Sequence, residues 1–142
     1  MKINEMFEAF DMSEIDKYKN KYAEEVKQKF GNTAAYIESH KKTSNYKAND
    51  WKAIKLESDT ILKKIAALMD KGPADQQVQE AIEEYRQHIT SRFYNCTTEI
   101  FRGLGELYVN DERFTKNIDK HKVGLASFLR DGINIYCDNL ER

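Results

Sequence analysis

The sequence predicts an all-α protein, and three observations support this. One proline and six glycines in 142 residues leave long stretches without a helix breaker. Apolar residues recur at three- and four-residue spacing in several segments, which is the period of an amphipathic helix. No segment keeps the strict apolar–polar alternation of a half-buried strand. We therefore predict one domain over residues 1–142, with about six to eight helices, short loops and no strands.

The clearest helix follows Asn49, which is a suitable N-cap residue. Its apolar stripe is Trp51, Ile54, Ser58, Ile61, Leu62, Ile65, Leu68 and Met69. The tripeptide "KGP" at Lys71–Pro73 ends this helix, because glycine suits a left-handed turn and proline cannot continue the helix.

Four more helices are predicted between Asp75 and the end of the chain. Their starts are Asp75, either Thr97 or Thr98, Asp111, and about Val123, and the last helix runs to about Asp138. The residues expected to be buried are Val78, Ala81, Ile82, Tyr85, Ile89 and Phe93, then Ile100, Phe101, Leu104, Leu107 and Tyr108, then Phe114 and Ile118, and finally Leu125, Phe128, Leu129, Ile133 and Tyr136.

The segment before about residue 47 has fewer large apolar residues than the rest of the chain. We expect three helices there: Asn4–Phe10, one capped by Ser13 that ends at Phe30, and one capped by Thr33 that ends near Thr43. With so little apolar surface to bury, this segment either packs loosely or becomes ordered when a ligand binds.

Composition excludes several classes of protein. The net charge of -1 gives no general attraction to nucleic acid. The two cysteines are far apart in sequence and form neither a CxxC motif nor a disulfide framework. No run approaches the ~18 apolar residues of a membrane span, and the start "MKINEMFEAFD" is too polar for a signal peptide. We therefore expect a cytoplasmic protein with no membrane contact.

Cys96 lies just before a predicted helix, so two interpretations of it stay open. Backbone N–H groups and the positive end of the helix dipole stabilise a thiolate at a helix start, which would lower the pKa of the thiol. Alternatively, Cys96 is a small buried hydrophobic residue. Cys137, among apolar residues of the last helix, is predicted to lie in the core.

The three histidines do not predict a metal site, since none has a second histidine or a cysteine at ligand spacing. His88 lies one residue off an apolar stripe and two turns before Cys96. A Cys–His pair can perform nucleophilic catalysis, but no third orienting residue is visible. We expect His88 to line a polar corner of a pocket or the edge of the core, and we predict neither an enzyme nor a haem or other cofactor.

Aromatic residues are numerous for this chain length. They include Tyr36, Tyr46, Trp51, Phe93, Tyr94, Phe101, Tyr108 and Phe114. Several must pack in the core. Tyrosine and tryptophan also carry a polar atom that needs a partner when buried, and such residues often line pockets for large, partly polar ligands.

The chain resembles the TipAS antibiotic-recognition domain over nearly its full length. Seven segments occur in the order and spacing of that family: "EVKQKFG", "AYIESHKKTSNY", "DWKAI", "ALMDKGP", "FYNC", "GLGELYVNDERFT" and "GLASFLRD". TipAS domains lie at the C-terminus of MerR-type transcriptional activators that respond to drugs. The sequence is most similar to the Mta-type multidrug-efflux activators.

This resemblance implies a globin-like helical bundle with a deep ligand cleft. The ligands would be large hydrophobic drugs or peptide antibiotics such as thiopeptides. In thiopeptide-binding members, the cysteine of the "FYxC" motif attacks a dehydroalanine of the drug, and here that residue is Cys96. The N-terminal part, to about residue 47, would be mobile without ligand and fold over it on binding. Asn95, Phe101 and Glu112 depart from the residues common in thiopeptide-binding members.

The function implied is a drug-sensing effector domain, and the alternative is a stand-alone protein that confers resistance by sequestering the drug. We assign no catalytic or metal-binding residue. The expected ligand-binding residues are Cys96, Trp51, Tyr36, Tyr46, His88, Phe93, Tyr94, Phe101 and Tyr108. A regulator of this kind would contact DNA through an N-terminal helix-turn-helix domain that is missing here. It would dimerise through a coiled coil, so this chain alone is expected to be a monomer.

Overall fold

A computed structural model describes residues 33–142 of the chain. Its α-helices are α1 (Ala34–Thr43), α2 (Ala48–Ala67), α3 (Gln76–Arg92), α4 (Thr98–Asn110), α5 (Glu112–Asp119) and α6 (Leu125–Leu140), and a single 3₁₀ turn, Met69–Lys71, follows α2. This part of the chain contains no strand, which confirms the all-α prediction. The helices predicted at Asn4–Phe10 and between Ser13 and Phe30 lie outside the described residues.

Most predicted helix starts are confirmed by N-caps in the structure. The side chains of Thr33, Asp75, Thr97 and Asp111 each accept a hydrogen bond from a backbone N–H two or three residues further on. Thr97, rather than Thr98, is therefore the N-cap of α4. The predicted left-handed turn after α2 is also present, since Gly72 has φ 92°.

Two predicted helix starts were wrong by one or two residues. Helix α2 is preceded by Lys47, not by Asn49, and the backbone N–H of Lys47 donates to the Asp50 carboxylate at 2.9 Å. Helix α6 begins at Leu125, because Gly124 adopts a left-handed conformation with φ 91° and the preceding Val123 is exposed. Both shifts follow from local backbone geometry that apolar spacing does not report.

The core is centred on α3, which packs against both α2 and α6, while α4 and α5 complete the bundle around α6. The predicted stripe of α3 is confirmed, since its six apolar side chains are 0 to 2% exposed. The stripes of α2 and α4 are narrower than predicted. Four residues predicted to be buried on these helices are only partly buried: Ile61, Ile100, Leu104 and Leu107. The same holds for Leu68 and Met69, which follow α2, and for Phe128 on α6. Cys137 is fully buried in the core, as predicted.

Close approach of α6 to its neighbours depends on small residues. A Cβ atom added at Gly132 would lie well inside van der Waals distance of Ile82 Cδ1 on α3. A Cβ atom at Gly105 of α4 would lie 3.4 Å from the Cα of Arg130 on α6. A Cβ atom at Gly103 would meet nothing within 4 Å. None of the helices between residues 33 and 142 is long and apolar enough to cross a membrane.

We predict opposite effects for alanine at two helical glycines. Gly132→Ala should lower the free energy of unfolding by about 1–2 kcal/mol, because overpacking of a buried contact outweighs the better helix propensity of alanine. Gly103→Ala should raise it by up to about 1 kcal/mol, since only propensity changes there. Urea unfolding followed by circular dichroism measures both, and destabilisation by Gly103→Ala would contradict the packing described here.

Candidate functional site

The five-residue turn between α3 and α4, residues 93–97, carries Cys96. Side chains of α3 hold both backbone polar groups of this residue. The Thr90 hydroxyl accepts the Cys96 N–H at 3.2 Å, and Arg86 Nε donates to the Cys96 carbonyl at 2.7 Å. Because Arg86 and Thr90 are one helical turn apart, α3 itself fixes the position of the turn that follows it.

Arg86 is in turn fixed by α6. Its Nη1 donates to the Tyr136 hydroxyl at 3.1 Å, and its guanidinium lies 5.8 Å from the centroid of the Tyr136 ring. The Tyr136 hydroxyl donates to the Glu83 carboxylate. The Cys96 turn is thereby connected to α6 through a single arginine.

The Cys96 side chain is 0% exposed, and burial raises the pKa of its thiol to about 12. The positive charge of Arg86 acts against this rise, whereas Cys137 adds to it. The lowered pKa that the helix-start interpretation required is therefore wrong. Thr97, not Cys96, caps α4, so the thiol lies before the N-terminal N–H groups of the helix, and burial dominates its ionisation.

Four predicted site residues form one contiguous group, which we call the aromatic corner: Tyr46, Trp51, His88 and Phe93. Tyr46 lies edge-on to Trp51 with ring centroids 5.3 Å apart, and Trp51 lies 6.2 Å from Phe93. His88 contacts the other side of Phe93 at 6.4 Å. Phe93 begins the turn that carries Cys96, so one short turn connects the aromatic corner with the thiol.

Charged side chains border the aromatic corner. Glu57 of α2 accepts hydrogen bonds from Arg92, with an Nε–Oε1 distance of 3.1 Å, and lies 3.1 Å from His88 Nδ1. The hydrogen bond from Arg92 holds the pKa of the Glu57 carboxyl below its usual value. Burial lowers the pKa of His88, so its neutral form is favoured despite the nearby carboxylate.

Helix α1 and the residues after it attach to the end of α3 through three side chains. Lys42 Nζ donates to the Thr90 carbonyl at 2.9 Å, and the Tyr46 hydroxyl donates to the Arg92 carbonyl at 2.8 Å. Glu38 accepts the backbone N–H of Asn95 at 3.0 Å. The last carbonyls of a helix have no donor within the helix. Lys42 and Tyr46 therefore supply hydrogen-bond donors to two carbonyls at the C-terminus of α3.

The other predicted site residues lie outside the aromatic corner. Phe101 is fully buried in a second aromatic cluster, 6.3 Å from the Tyr85 ring and 5.7 Å from the Tyr136 ring. Tyr108 joins the same cluster through a 2.7 Å hydrogen bond between its hydroxyl and that of Tyr85. Tyr36 stacks on His40 within α1, and Tyr94 is partly buried next to the core. Contact of these residues with a ligand stays a prediction.

The described residues include no group of three or more His, Cys, Asp or Glu side chains placed to hold a metal ion. His40 is exposed on α1, and His121 lies 3.7 Å from the Asp59 carboxylate. His88 contacts Glu57 and Phe93.

Sequence analysis did not identify the polar residues that organise this region: Glu38, Lys42, Glu57, Arg86, Thr90 and Arg92. Every arginine of the chain lies after residue 80. Two of them, Arg86 and Arg92, make partly buried contacts that hold the Cys96 turn and the aromatic corner.

The model of the TipAS antibiotic-recognition domain matches residues 22–136. This chain belongs to that family. The segment matched includes α1 to α5 and most of α6, so the Cys96 turn and the aromatic corner both lie inside the TipAS domain.

Curated relatives of this TipAS domain are transcriptional activators. The HTH-type transcriptional activator mta of Bacillus subtilis is 45% identical over 141 residues, covering 99% of this chain and 54% of the relative. The HTH-type transcriptional activator TipA of Streptomyces coelicolor is 45% identical over 131 residues, covering 91% of this chain and 50% of the relative. The chain thus spans about half the length of these relatives.

Solved structures support the same fold. TipAS of Streptomyces lividans, solved in complex with nosiheptide, has a TM-score of 0.81 at 39% identity and covers 96% of this chain and 94% of its own. The antibiotic-binding domain of a TipA-class multidrug resistance transcriptional regulator has a TM-score of 0.56 at 40% identity. It covers 61% of this chain and 94% of its own. The globin-like fold predicted from the resemblance is confirmed, and the ligand cleft stays a prediction.

We predict that Cys96 resists general alkylating reagents in the folded TipAS domain. With a pKa of about 12, its thiolate fraction at pH 8 is roughly a thousandfold below that of an ordinary thiol. Timed iodoacetamide treatment followed by peptide mass spectrometry measures the modification at Cys96. The same treatment in guanidinium gives the rate for the exposed thiol, and equal rates in the two states would contradict the burial of Cys96.

We predict that His88 makes the TipAS domain less stable as the pH falls from 7 to 5. The pKa of His88 is lowered in the folded state, so the unfolded chain binds a proton, near its ordinary pKa of about 6.5, that the folded chain excludes. Stability from the neutral imidazole is complete above that pH and is lost below it. Urea unfolding at several pH values should show a smaller decrease for His88→Gln, whereas the exposed His40→Gln should behave as wild type.

Proposed function

We propose that this chain is the drug-sensing effector domain of a MerR-type transcriptional activator in the cytoplasm, and that it binds large, hydrophobic, thiopeptide-like compounds. The relatives named above are HTH-type transcriptional activators, and this chain corresponds to about half of their length. DNA contact would come from a helix-turn-helix domain elsewhere in the full regulator. The full regulator would be dimeric, whereas the isolated domain would be monomeric.

The observation that carries this proposal is the match to TipAS solved with nosiheptide. That match extends over more than nine tenths of both chains, so it is a likeness of whole domains. Within it, Cys96 is the thiol of the "FYNC" segment and lies three residues after Phe93 of the aromatic corner. An aromatic corner and a thiol joined by one short turn suit an unsaturated, ring-rich drug.

We propose that Cys96 captures dehydroalanine-containing ligands covalently. The thiol sulfur bonds to the terminal carbon of the alkene, and the neighbouring carbon takes up the proton that the thiol loses. No oxidant or reductant is needed. Because burial disfavours the thiolate in the described structure, reaction requires that a bound ligand replace the groups that bury Cys96. Ligands without an electrophile would use the same region reversibly.

Binding at this position would affect α1. Glu38 holds the N–H of Asn95, the residue directly before Cys96, and Lys42 and Tyr46 hold the end of α3. A ligand at Cys96 would therefore lie on the turn that one of these attachments holds directly. We propose that the bound drug shifts the population of α1 positions, and that the attached regulator responds to that shift.

We propose capture without catalytic turnover. A thioether at Cys96 consumes the only thiol of the site, so one chain takes up one drug molecule. The curated relatives are transcriptional activators by name, which agrees with a sensor rather than an enzyme.

Intact-protein mass spectrometry after incubation with thiostrepton tests this proposal. We expect a mass gain equal to one thiostrepton molecule per chain, because the thioether retains all atoms of the drug. Cys96→Ser should abolish the adduct, and Cys137→Ser should leave it unchanged, since Cys137 lies in the core against the Thr98 carbonyl.

Trp51 fluorescence, recorded on the same samples, separates binding from reaction. A fluorescence change without an adduct would establish reversible binding and remove the covalent step. If thiostrepton produces no adduct and no fluorescence change, the proposal is contradicted for thiopeptide ligands.

A further inference from the structure

The indole N–H of Trp51 is a buried donor without an acceptor. The Trp51 side chain lies at the start of the buried face of α2, and the residue is 8% exposed. Its Nε1 atom is inaccessible to solvent, and no group of residues 33–142 accepts a hydrogen bond from it. Buried polar groups in folded proteins nearly always have a partner, so an unpartnered donor within the aromatic corner calls for an explanation.

The acceptors that border the aromatic corner pair with donors other than the indole. The Arg92 carbonyl accepts from the Tyr46 hydroxyl, and the Glu57 carboxylate accepts from Arg92 and pairs with His88. Of the two side chains in ring contact with Trp51, Phe93 has no polar atom, and the Tyr46 hydroxyl donates to the Arg92 carbonyl and does not bond to the indole.

We propose that Trp51 Nε1–H donates a hydrogen bond to a neutral carbonyl oxygen or azole nitrogen of the bound drug. This inference rests on the proposed function and adds the chemistry by which the ligand is oriented. An anionic acceptor is disfavoured, because Arg92, the cation that borders the aromatic corner, is already paired with Glu57, and a buried anion would need its own counter-charge. Peptide-like drugs rich in amides and azoles supply neutral acceptors in the required number.

Isosteric replacement of the indole tests the hydrogen bond directly. Trp51 is the single tryptophan of the chain, so expression with 3-benzothienylalanine in place of tryptophan changes only this residue. The sulfur analogue keeps the shape of the ring and removes the N–H. Thiostrepton affinity is measured by calorimetry in the Cys96→Ser background, where binding is reversible.

We expect the analogue to bind thiostrepton about tenfold more weakly, which is the effect of one hydrogen bond. The midpoint of thermal unfolding without drug should not fall, since the N–H has no acceptor to lose. Equal affinity of the two proteins would overturn the inference. A lower unfolding midpoint for the analogue would also overturn it, because the N–H would then have an acceptor within the protein.

The indole proton gives a second measurement without any substitution. A ¹⁵N-labelled sample has one indole cross-peak, and hydrogen bonding to the drug should move its proton resonance downfield and slow its exchange with water. An unchanged cross-peak in a saturated complex would overturn the inference. Failure of the unlabelled wild-type protein to bind thiostrepton would overturn the proposed function and this inference together.

Ser58→Ala provides a matched control. Ser58 lies two turns along the same buried face of α2, is fully buried, and its hydroxyl also has no hydrogen-bond partner among the described residues. It makes no ring contact in the aromatic corner. Loss of this hydroxyl should leave thiostrepton affinity unchanged, so a tenfold loss in Ser58→Ala would show that the effect at Trp51 is not specific to that donor.

Discussion

Helix α3 must satisfy two constraints at once, and the rest of the structure depends on this. One face buries apolar side chains against α2 and α6, which requires the close approach that Gly132 permits. The neighbouring positions carry Arg86 and Thr90, which hold the turn that follows. Because one rigid helix does both, the packing of the core also fixes where Cys96 lies. A change in the α3–α6 contact would therefore reach the thiol through Tyr136 and Arg86.

Burial of Cys96 has a consequence for selectivity. A thiol with a lowered pKa reacts with any electrophile that reaches it, whereas a thiol with a raised pKa reacts only when its environment changes. The described arrangement places Arg86 near Cys96, so a cation is available to stabilise a thiolate once the groups that bury it are displaced. Specificity would then come from the ligand that can enter, with the intrinsic reactivity of the cysteine kept low.

The fold could be predicted from the sequence because its signals are local. Apolar spacing along α3 and the caps at Asp75, Thr97 and Asp111 each lie within one turn of the feature they specify. The contacts of the site could not be predicted in this way, because they join residues that are far apart in the sequence. Arg92 and Glu57, which form a hydrogen bond, are separated by 35 residues, and Glu38 and Asn95 by 57. The thiol was predicted at the right place with the wrong ionisation, since burial is a tertiary property.

The hydrogen bonds between α1 and α3 provide a physical basis for the proposed response of the N-terminal segment to a ligand. Lys42 and Tyr46 satisfy carbonyls at the end of α3, and Glu38 satisfies the N–H of Asn95. Departure of α1 would leave these groups to water and remove one of the restraints on the Cys96 turn. By linkage, a ligand that favours one position of α1 must be bound more tightly when α1 holds that position. The affinity for the drug and the response of the regulator would then both depend on the same set of hydrogen bonds.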